Sequence, residues 1–458
     1  MNPTLYEFQR AGVRFLVQAR RAVLGDDMGL GKTAQAIFAC EVISKRILVI
    51  CPNTLKSYWS TEINKWAPNQ YVSVLRGSHK KKKEIIEGFP EYGFLVINIE
   101  AVRGNLINNL FTAGWDTVIV DEAHSVKNRN SKQTKGVYLL ATRAKYVYLL
   151  TGTPILNRVD ELWSPLHILY PKQYPSFWAF VKKHTIVYRR QIRTPRGKYR
   201  TIWEIDGKPT QPKKLRAEIA PIFLRREKES VFPDMPPKIY QKVWLDMEGE
   251  QCRIYRDIEQ TAMVEVGDTT VVTAGILAQL TRCKQVTVSP GLIGGKPEGV
   301  KIDALIDILN GTDQKVLVFS QFAKAVKLVS ERLEVEGISH AVFVGETKEK
   351  DRDSIIKCFQ DTPEIQVFLT TIQAGGVGIT LTAASLVVFL DKQWTPATNE
   401  QAVDRTRPHL QKQSIQIIEL LARESVDELI EKVLTGKISI IDAVIKRKKG
   451  NDKNKTLY

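Results

Sequence analysis

Cysteine is scarce in this chain and never clustered. Its five cysteines, Cys40, Cys51, Cys252, Cys283 and Cys358, lie far apart with no C-x-x-C pair. That spacing argues against a zinc site and against a disulfide framework, and it fits a reducing compartment. No apolar run reaches the length of a membrane span. The stretch from Met1 to Glu7 lacks the basic and apolar regions of a signal peptide. A soluble, intracellular protein with no membrane partner is the expectation. Low-complexity tracts and short-period repeats are absent as well, and no long stretch reads as disordered. Acidic residues are also in deficit: 50 stand against 67 basic ones, a net charge of +17. Such an excess points to a polyanionic partner, because Lys and Arg gain by displacing counterions condensed on phosphates. The plainer alternative is a basic but merely solvated surface.

What is present is ordinary for a globular protein, with 43% hydrophobic and 26% charged residues. At 458 residues the chain is too long for one core. Short apolar, β-branched runs alternate with helix-like segments. Ile47–Ile50, Phe94–Ile97, Thr117–Val120 and Tyr146–Leu150 form a first set. Val316–Phe319, Val367–Leu369 and Leu386–Leu390 form a second. Runs of this kind read as strands buried on both faces of a parallel sheet. The rhythm is lost from about Asn157 to Gly299, which reads as helical insertions and linkers. Two α/β lobes joined by an irregular middle is the predicted architecture.

The run from Asp26 to Thr33 (DDMGLGKT) follows a short apolar stretch and opens a predicted helix, Ala34 to Val42. Gly29 and Gly31 let the backbone wrap a phosphate, and the helix N-terminus adds its positive end. Lys32 would reach the β and γ oxygens, and the Thr33 hydroxyl would ligate Mg²⁺. Asp26 stands where the strict phosphate-loop pattern has its first glycine. Farther on, the apolar run Val118–Val120 ends in Asp121 and Glu122. Asp121 suits Mg²⁺ carried by a nucleotide, and Glu122 suits orienting and deprotonating an attacking water. Either piece alone has a bland reading, a glycine turn or a solvated strand end; together in one lobe they point to ATP.

With these two motifs in place, the chain resembles the SWI/SNF-type branch of the superfamily 2 helicase-related ATPases, from Leu5 to about Lys437. Its opening segment, Leu5–Val13, is similar to one in which Gln9 would contact adenine. Cys51–Trp59 resembles the segment that touches the DNA backbone, which implicates Pro52 and Lys56. Ser125–Asn128 continues the acid pair as family members do, and His124 belongs to the same motif. Thr151–Asn157 resembles the motif coupling hydrolysis to DNA contact, with Thr151 and Thr153 able to bond the acid pair or His124. The joining segment matches from Phe223 to Lys238. Val316–Phe322 (VLVFSQF) and Thr370–Thr382 follow, the latter offering Thr371 to DNA and Gly376 and Gly378 to phosphate. Asp391–Pro396 and Gln401–Arg405 complete the set, Gln401 as a coupling residue and Arg405 as a catalytic one.

The resemblance implies two RecA-like lobes with ATP and Mg²⁺ bound between them. Lobe 1 is expected over 1–225, with a helical and basic insertion at about 158–222. Lobe 2 is expected over 226–436, with a helical insertion at about 240–295, and a basic tail over 437–458. It also implies a motor tracking along double-stranded or branched DNA, as a monomer. The compact core is more similar to prokaryotic, phage or annealing-helicase members than to large chromatin remodellers. Its expected place is the cytoplasm and nucleoid of a prokaryote or a phage-infected cell, or a nucleus in a eukaryote.

The last motif departs from the family. Pro408 occupies the position of a second arginine and Leu410 that of a glycine, while Arg407 stands one residue early. Either Arg407 reaches the phosphate by a reshaped turn or hydrolysis is slow. A strand-separating helicase and a weakly hydrolysing, ATP-gated DNA clamp are the rival readings. For DNA contact, the basic stretch Lys182–Arg200 carries Arg189, Arg190 and Arg193, with Tyr188 and Tyr199 interleaved and Trp203 just beyond. A solvated hairpin with a small aromatic core is its alternative.

Overall fold

The computed structural model describes residues 4–152, 158–193, 199–261, 263–266, 269–272, 275–375, 379, 381–406 and 414–436. Thr153, Gly376, Gly378, Arg407, Pro408 and the basic tail therefore lie outside the described residues. The chain divides into two compact units, Met1–Pro233 and Asp234–Tyr458. The boundary expected from sequence, 225/226, falls a little earlier.

The first unit is built on a seven-stranded sheet. Its strands are β1 (Arg21–Leu24), β2 (Arg46–Cys51), β3 (Val72–Val74), β4 (Gly93–Asn98), β5 (Thr117–Val120) and β6 (Tyr146–Leu150). Beyond an antiparallel pair, β7 (Thr185–Arg193) and β8 (Tyr199–Pro209), comes the last strand of the sheet, β9 (Phe223–Leu224). The order is β3-β4-β2-β5-β6-β1-β9, and every pairing is parallel. The interior strands β2, β4, β5 and β6 are almost wholly buried. Such burial is why their sequences are continuous apolar runs with no alternation. Helices such as Lys32–Ile43 and Lys132–Arg143 cover the faces. All four strands expected from the first set of runs are present.

The second unit repeats the plan. Its strands are β10 (Lys238–Leu245), β11 (Met263–Val266), β12 (Thr269–Val272), β13 (Val316–Ser320), β14 (His340–Phe343), β15 (Val367–Thr371), β16 (Leu386–Phe389) and β17 (Ile415–Ala422). Six of them make a parallel sheet of order β10-β17-β16-β13-β15-β14, with β11 and β12 a separate antiparallel pair. The fold is thus α/β with two parallel-sheet lobes of RecA-like type.

The middle of the chain is less irregular than its composition suggests. It supplies β9 to the edge of the first sheet and β10 to the edge of the second. Both escaped the apolar-run criterion for a physical reason. β9 has two residues, and β10 exposes Ile239 and Tyr240 at an edge, so neither is buried on both faces. The stretch expected to be helical also holds the β7–β8 ribbon beside the helices Val159–Leu169, Phe177–His184 and Pro212–Ile219.

Candidate active site

Everything at the nucleotide-type site of the first unit sits at the C-terminal ends of parallel strands. β1 runs into the loop 25–31, where Gly29 and Gly31 have φ of 83° and 73°. Those left-handed values are glycine territory. A Cβ on Gly31 would strike the Gln9 side chain. Gln9 is itself buried: its Oε1 accepts from the Tyr6 amide at 3.0 Å and its Nε2 donates to the Leu30 carbonyl at 3.3 Å. The opening helix is thereby fastened to the loop. Gly31 caps the helix Lys32–Ile43, so Lys32 and Thr33 occupy its first turn. Lys32 donates to the carbonyls of Asp26 and Asp27 at 2.7 and 3.1 Å. Burial holds its ammonium below the usual lysine range, against the pull of Glu122, Asp26, Asp121 and Asp27.

Asp26, the departure from the phosphate-loop pattern, has a structural task that sequence reasoning missed. It is fully buried, and its carboxylate receives the Arg226 amide at 3.1 Å, Arg226 Nε at 3.0 Å and Arg226 Nη2. Gln35 Nε2 adds a bond at 3.3 Å. Asp27 accepts from Arg225 at 3.3 Å and from the Lys228 amide at 3.0 Å. The Gly25 amide donates to the Leu224 carbonyl at 2.7 Å, and that of Asp27 to the Arg226 carbonyl at 3.0 Å. The loop is therefore zipped to the segment that follows β9. Only the pairing of two acids with two arginines some two hundred residues later could have signalled this.

β5 delivers the acid pair. Asp121 Oδ2 accepts from the Trp59 indole at 2.8 Å, and Oδ1 from the Glu122 amide at 2.9 Å. Burial first, then the charge of Glu122, push the Asp121 carboxyl up to about 6, while Trp59, the Glu122 amide and Lys32 work the other way. Glu122 sits at φ 49°, an unfavourable backbone for a residue with a Cβ. Its Oε2 lies 3.3 Å from His124 Nδ1. Thr151, buried at the end of β6, donates its amide to the Leu24 carbonyl at 3.1 Å. Lys32, Asp121, Glu122 and His124 are thus one electrostatic group, and Thr33 adjoins it on the helix.

The residues expected to meet DNA in this unit are spread over separate elements. Pro52 leads into a short turn before the helix Lys56–Trp66. Lys56 is buried, and its Nζ donates to the Leu75 carbonyl at 3.3 Å. Arg189 and Arg190 are exposed on β7, while for Arg193 only the backbone is described. In the second unit, Thr371 closes β15, where its Oγ1 accepts from the Ala374 amide at 3.2 Å. Gln401 lies on the helix Pro396–Val403. Arg405 Nη1 approaches the Ile379 carbonyl at 3.5 Å, and the Arg405 carbonyl accepts from the Leu381 amide at 2.8 Å.

A divalent cation has hosts of fitting chemistry in the first unit: Asp121, a half-buried carboxylate at the end of β5, and Thr33, a hydroxyl in the first helical turn. Among the described residues no cluster of three or more His, Cys, Asp or Glu stands ready to hold a metal. No helix among them is long and apolar enough to cross a membrane.

Residues 8–292 match the family model of the SNF2-related domain, and residues 300–408 that of the helicase conserved C-terminal domain. An uncharacterized ATP-dependent helicase of Mycoplasma genitalium, MG018, is 27% identical over 95% of this chain and 42% of its own length. The DNA annealing helicase and endonuclease ZRANB3 of Bos taurus is 28% identical over 98% of this chain and 41% of its own. A solved structure, the Sulfolobus solfataricus SWI2/SNF2 ATPase core in complex with dsDNA, shares 27% identity, covers 98% of this chain and 94% of its own, and has a TM-score of 0.47. This chain spans less than half the length of these two curated relatives.

Proposed function

Because this chain belongs to the SNF2-related family, we propose that it is a DNA-dependent ATPase that translocates on double-stranded DNA, remodelling DNA or DNA–protein complexes. The observation that carries the reading is the grouping of Lys32, Asp121, Glu122 and His124 at the ends of β1 and β5. Lys32 neutralises the β and γ phosphates, leaving the carbonyls of Asp26 and Asp27 for stronger, charged partners. Thr33 and Asp121 would hold Mg²⁺, whose chemistry is to neutralise charge on the phosphate oxygens. Glu122 orients the attacking water and takes its proton, steadied by His124. Gly29 and Gly31 give the loop amides access to phosphate, and Gln9 reads adenine.

From the second unit we assign Gly376, Gly378, Arg405 and Arg407 to the nucleotide, and Gln401 with Thr151 and Thr153 to coupling. Duplex DNA, with or without branches, is assigned to Pro52, Lys56, Arg189, Arg190, Arg193 and Thr371. Arginines exposed on β7 suit phosphate contact because their guanidinium stays charged and donates in a fork. The direct test is displacement of a third strand from a duplex track. The expected result is ATP-driven displacement by the native chain and none by Glu122→Gln. Opening of forked duplexes without third-strand displacement would favour a strand-separating helicase instead.

A further inference from the structure

A ladder of aromatic rings runs through the first unit and surfaces beside the β7–β8 ribbon. Its inner end is a half-buried parallel stack: Tyr138 on His167 at 4.9 Å, and His167 on Trp163 at 4.5 Å. Phe177 then meets Trp163 edge-on at 5.6 Å, Trp178 lies 5.3 Å from Phe177, and Trp203 lies 6.3 Å from Trp178. Exposure rises outward from Trp163, from 9% there to 38% at Trp178 and 45% at Trp203. The inner rings and the Val187 and Ile205 side chains, which pack on the core, fix the outer indoles in place.

Cations accompany the rings at the exposed end. The Arg189 guanidinium stands 4.8 Å from the Trp203 ring centre and Lys182 Nζ 5.7 Å from it. Arg129 stands 3.7 Å from Phe177 and 5.9 Å from Trp178. The placement follows from two periodicities. Trp178 and Lys182 are four apart on the helix Phe177–His184, and Arg189 and Trp203 are cross-strand partners in the ribbon. The acidic Glu204 pairs with Tyr188, so it belongs to the opposite face, where it engages Arg190 at 3.3 Å. One face thus combines rigid, half-exposed indoles with positive charge and no carboxylate among these partners.

A closed duplex offers such a face its phosphates but keeps its bases stacked on one another. Unpaired bases offer both phosphates and ring faces, and every base can stack on an aromatic side chain. We propose that Trp203 and Trp178 form a stacking platform for unpaired DNA bases, so that duplex DNA carrying a single-stranded branch is the favoured substrate. This deepens the reading of the chain as a DNA motor and rests on it for its biological setting. Arg129 lies five residues past His124, which places the platform next to the loop that follows the acid pair.

The test is fluorescence anisotropy of the full chain, without nucleotide, on a linear duplex and on the same duplex with an unpaired arm. The native chain should bind the armed duplex about tenfold more tightly, the scale of one or two base stacks. Trp203→Leu and Trp178→Leu should remove that preference while leaving linear-duplex affinity within about twofold. Trp203→Phe, which keeps a ring, should restore it, and would carry the test alone if the leucine variants fail to fold. Equal binding of both DNAs by the native chain would overturn the proposal, as would a Phe variant no better than Leu. Absence of the preference in the native chain, with its duplex-stimulated hydrolysis intact, sinks only the platform. A preference that persists without any DNA-stimulated hydrolysis sinks the motor reading instead.

Discussion

Asp121 and Glu122 share one strand end but face different demands. Asp121 is half-buried, pushed up to a pKa of about 6, and tied to an indole. Its charged form is therefore fully present only above that value, and activity should fall as the pH drops through about 6. The Trp59 bond favours the charged form, so removing it raises the pKa further. In pH–rate profiles of kcat/KM, Trp59→Phe should move the acid limb upward. An unmoved limb would remove Asp121 as the titrating group. For Glu122, loss of the base in Glu122→Gln should lower the DNA-stimulated rate about 10²–10⁴-fold with KM for ATP little changed, measured by steady-state kinetics. At this scale the sequence was informative. The motifs singled out Lys32, Asp121, Glu122 and His124, and the structure brings them together, with Thr33 beside them in the first turn of the helix. Trp59 stood outside those motifs, since an indole donating to a carboxylate leaves no local pattern.

Between elements, the decisive contact is the zipper from the phosphate-type loop to the segment after β9. Arg226 holds a carboxylate with no solvent exposure, which makes the pair costly to break and cheap to replace as a whole. Arg226→Met leaves Asp26 charged and unpaired, and should destabilise the first unit by about 3–5 kcal/mol. On a unit of this size that lowers the melting temperature by on the order of 10 °C. Adding Asp26→Leu should recover much of the loss in calorimetry. A double variant as unstable as the single one would show that the pair's charges are not the issue. Strands β2, β4, β5, β6, β13, β15 and β16 were legible because burial on both faces forces continuous apolar runs, whereas interior β1 is short and interior β17 is interrupted by Gln416 and Glu419. Edge strands β9 and β10 and the β7–β8 ribbon were not, because one-sided burial gives a mixed sequence indistinguishable from loop.

The whole chain carries +17, which no single element explains and which the family's DNA role would use. Duplex affinity should fall steeply with salt, and neutralising Arg189 and Arg190 together should reduce the slope of log K against log [salt] by about 2. A slope unchanged by that substitution would take the ribbon out of the duplex interface. Composition and motif order made the two-lobe α/β plan legible from end to end. Which surface meets DNA was less so, because charge specifies a polyanion without specifying where it lies. The central claim is a motor driven by duplex DNA, and phosphate release tests it most directly. The rates to compare are those with no nucleic acid, single-stranded DNA, duplex DNA and RNA, with Lys32→Ala as the blank. Strong stimulation by duplex DNA, abolished in Lys32→Ala, is the expected result. Release no faster than the blank with every nucleic acid would contradict the motor and leave an ATP-gated clamp.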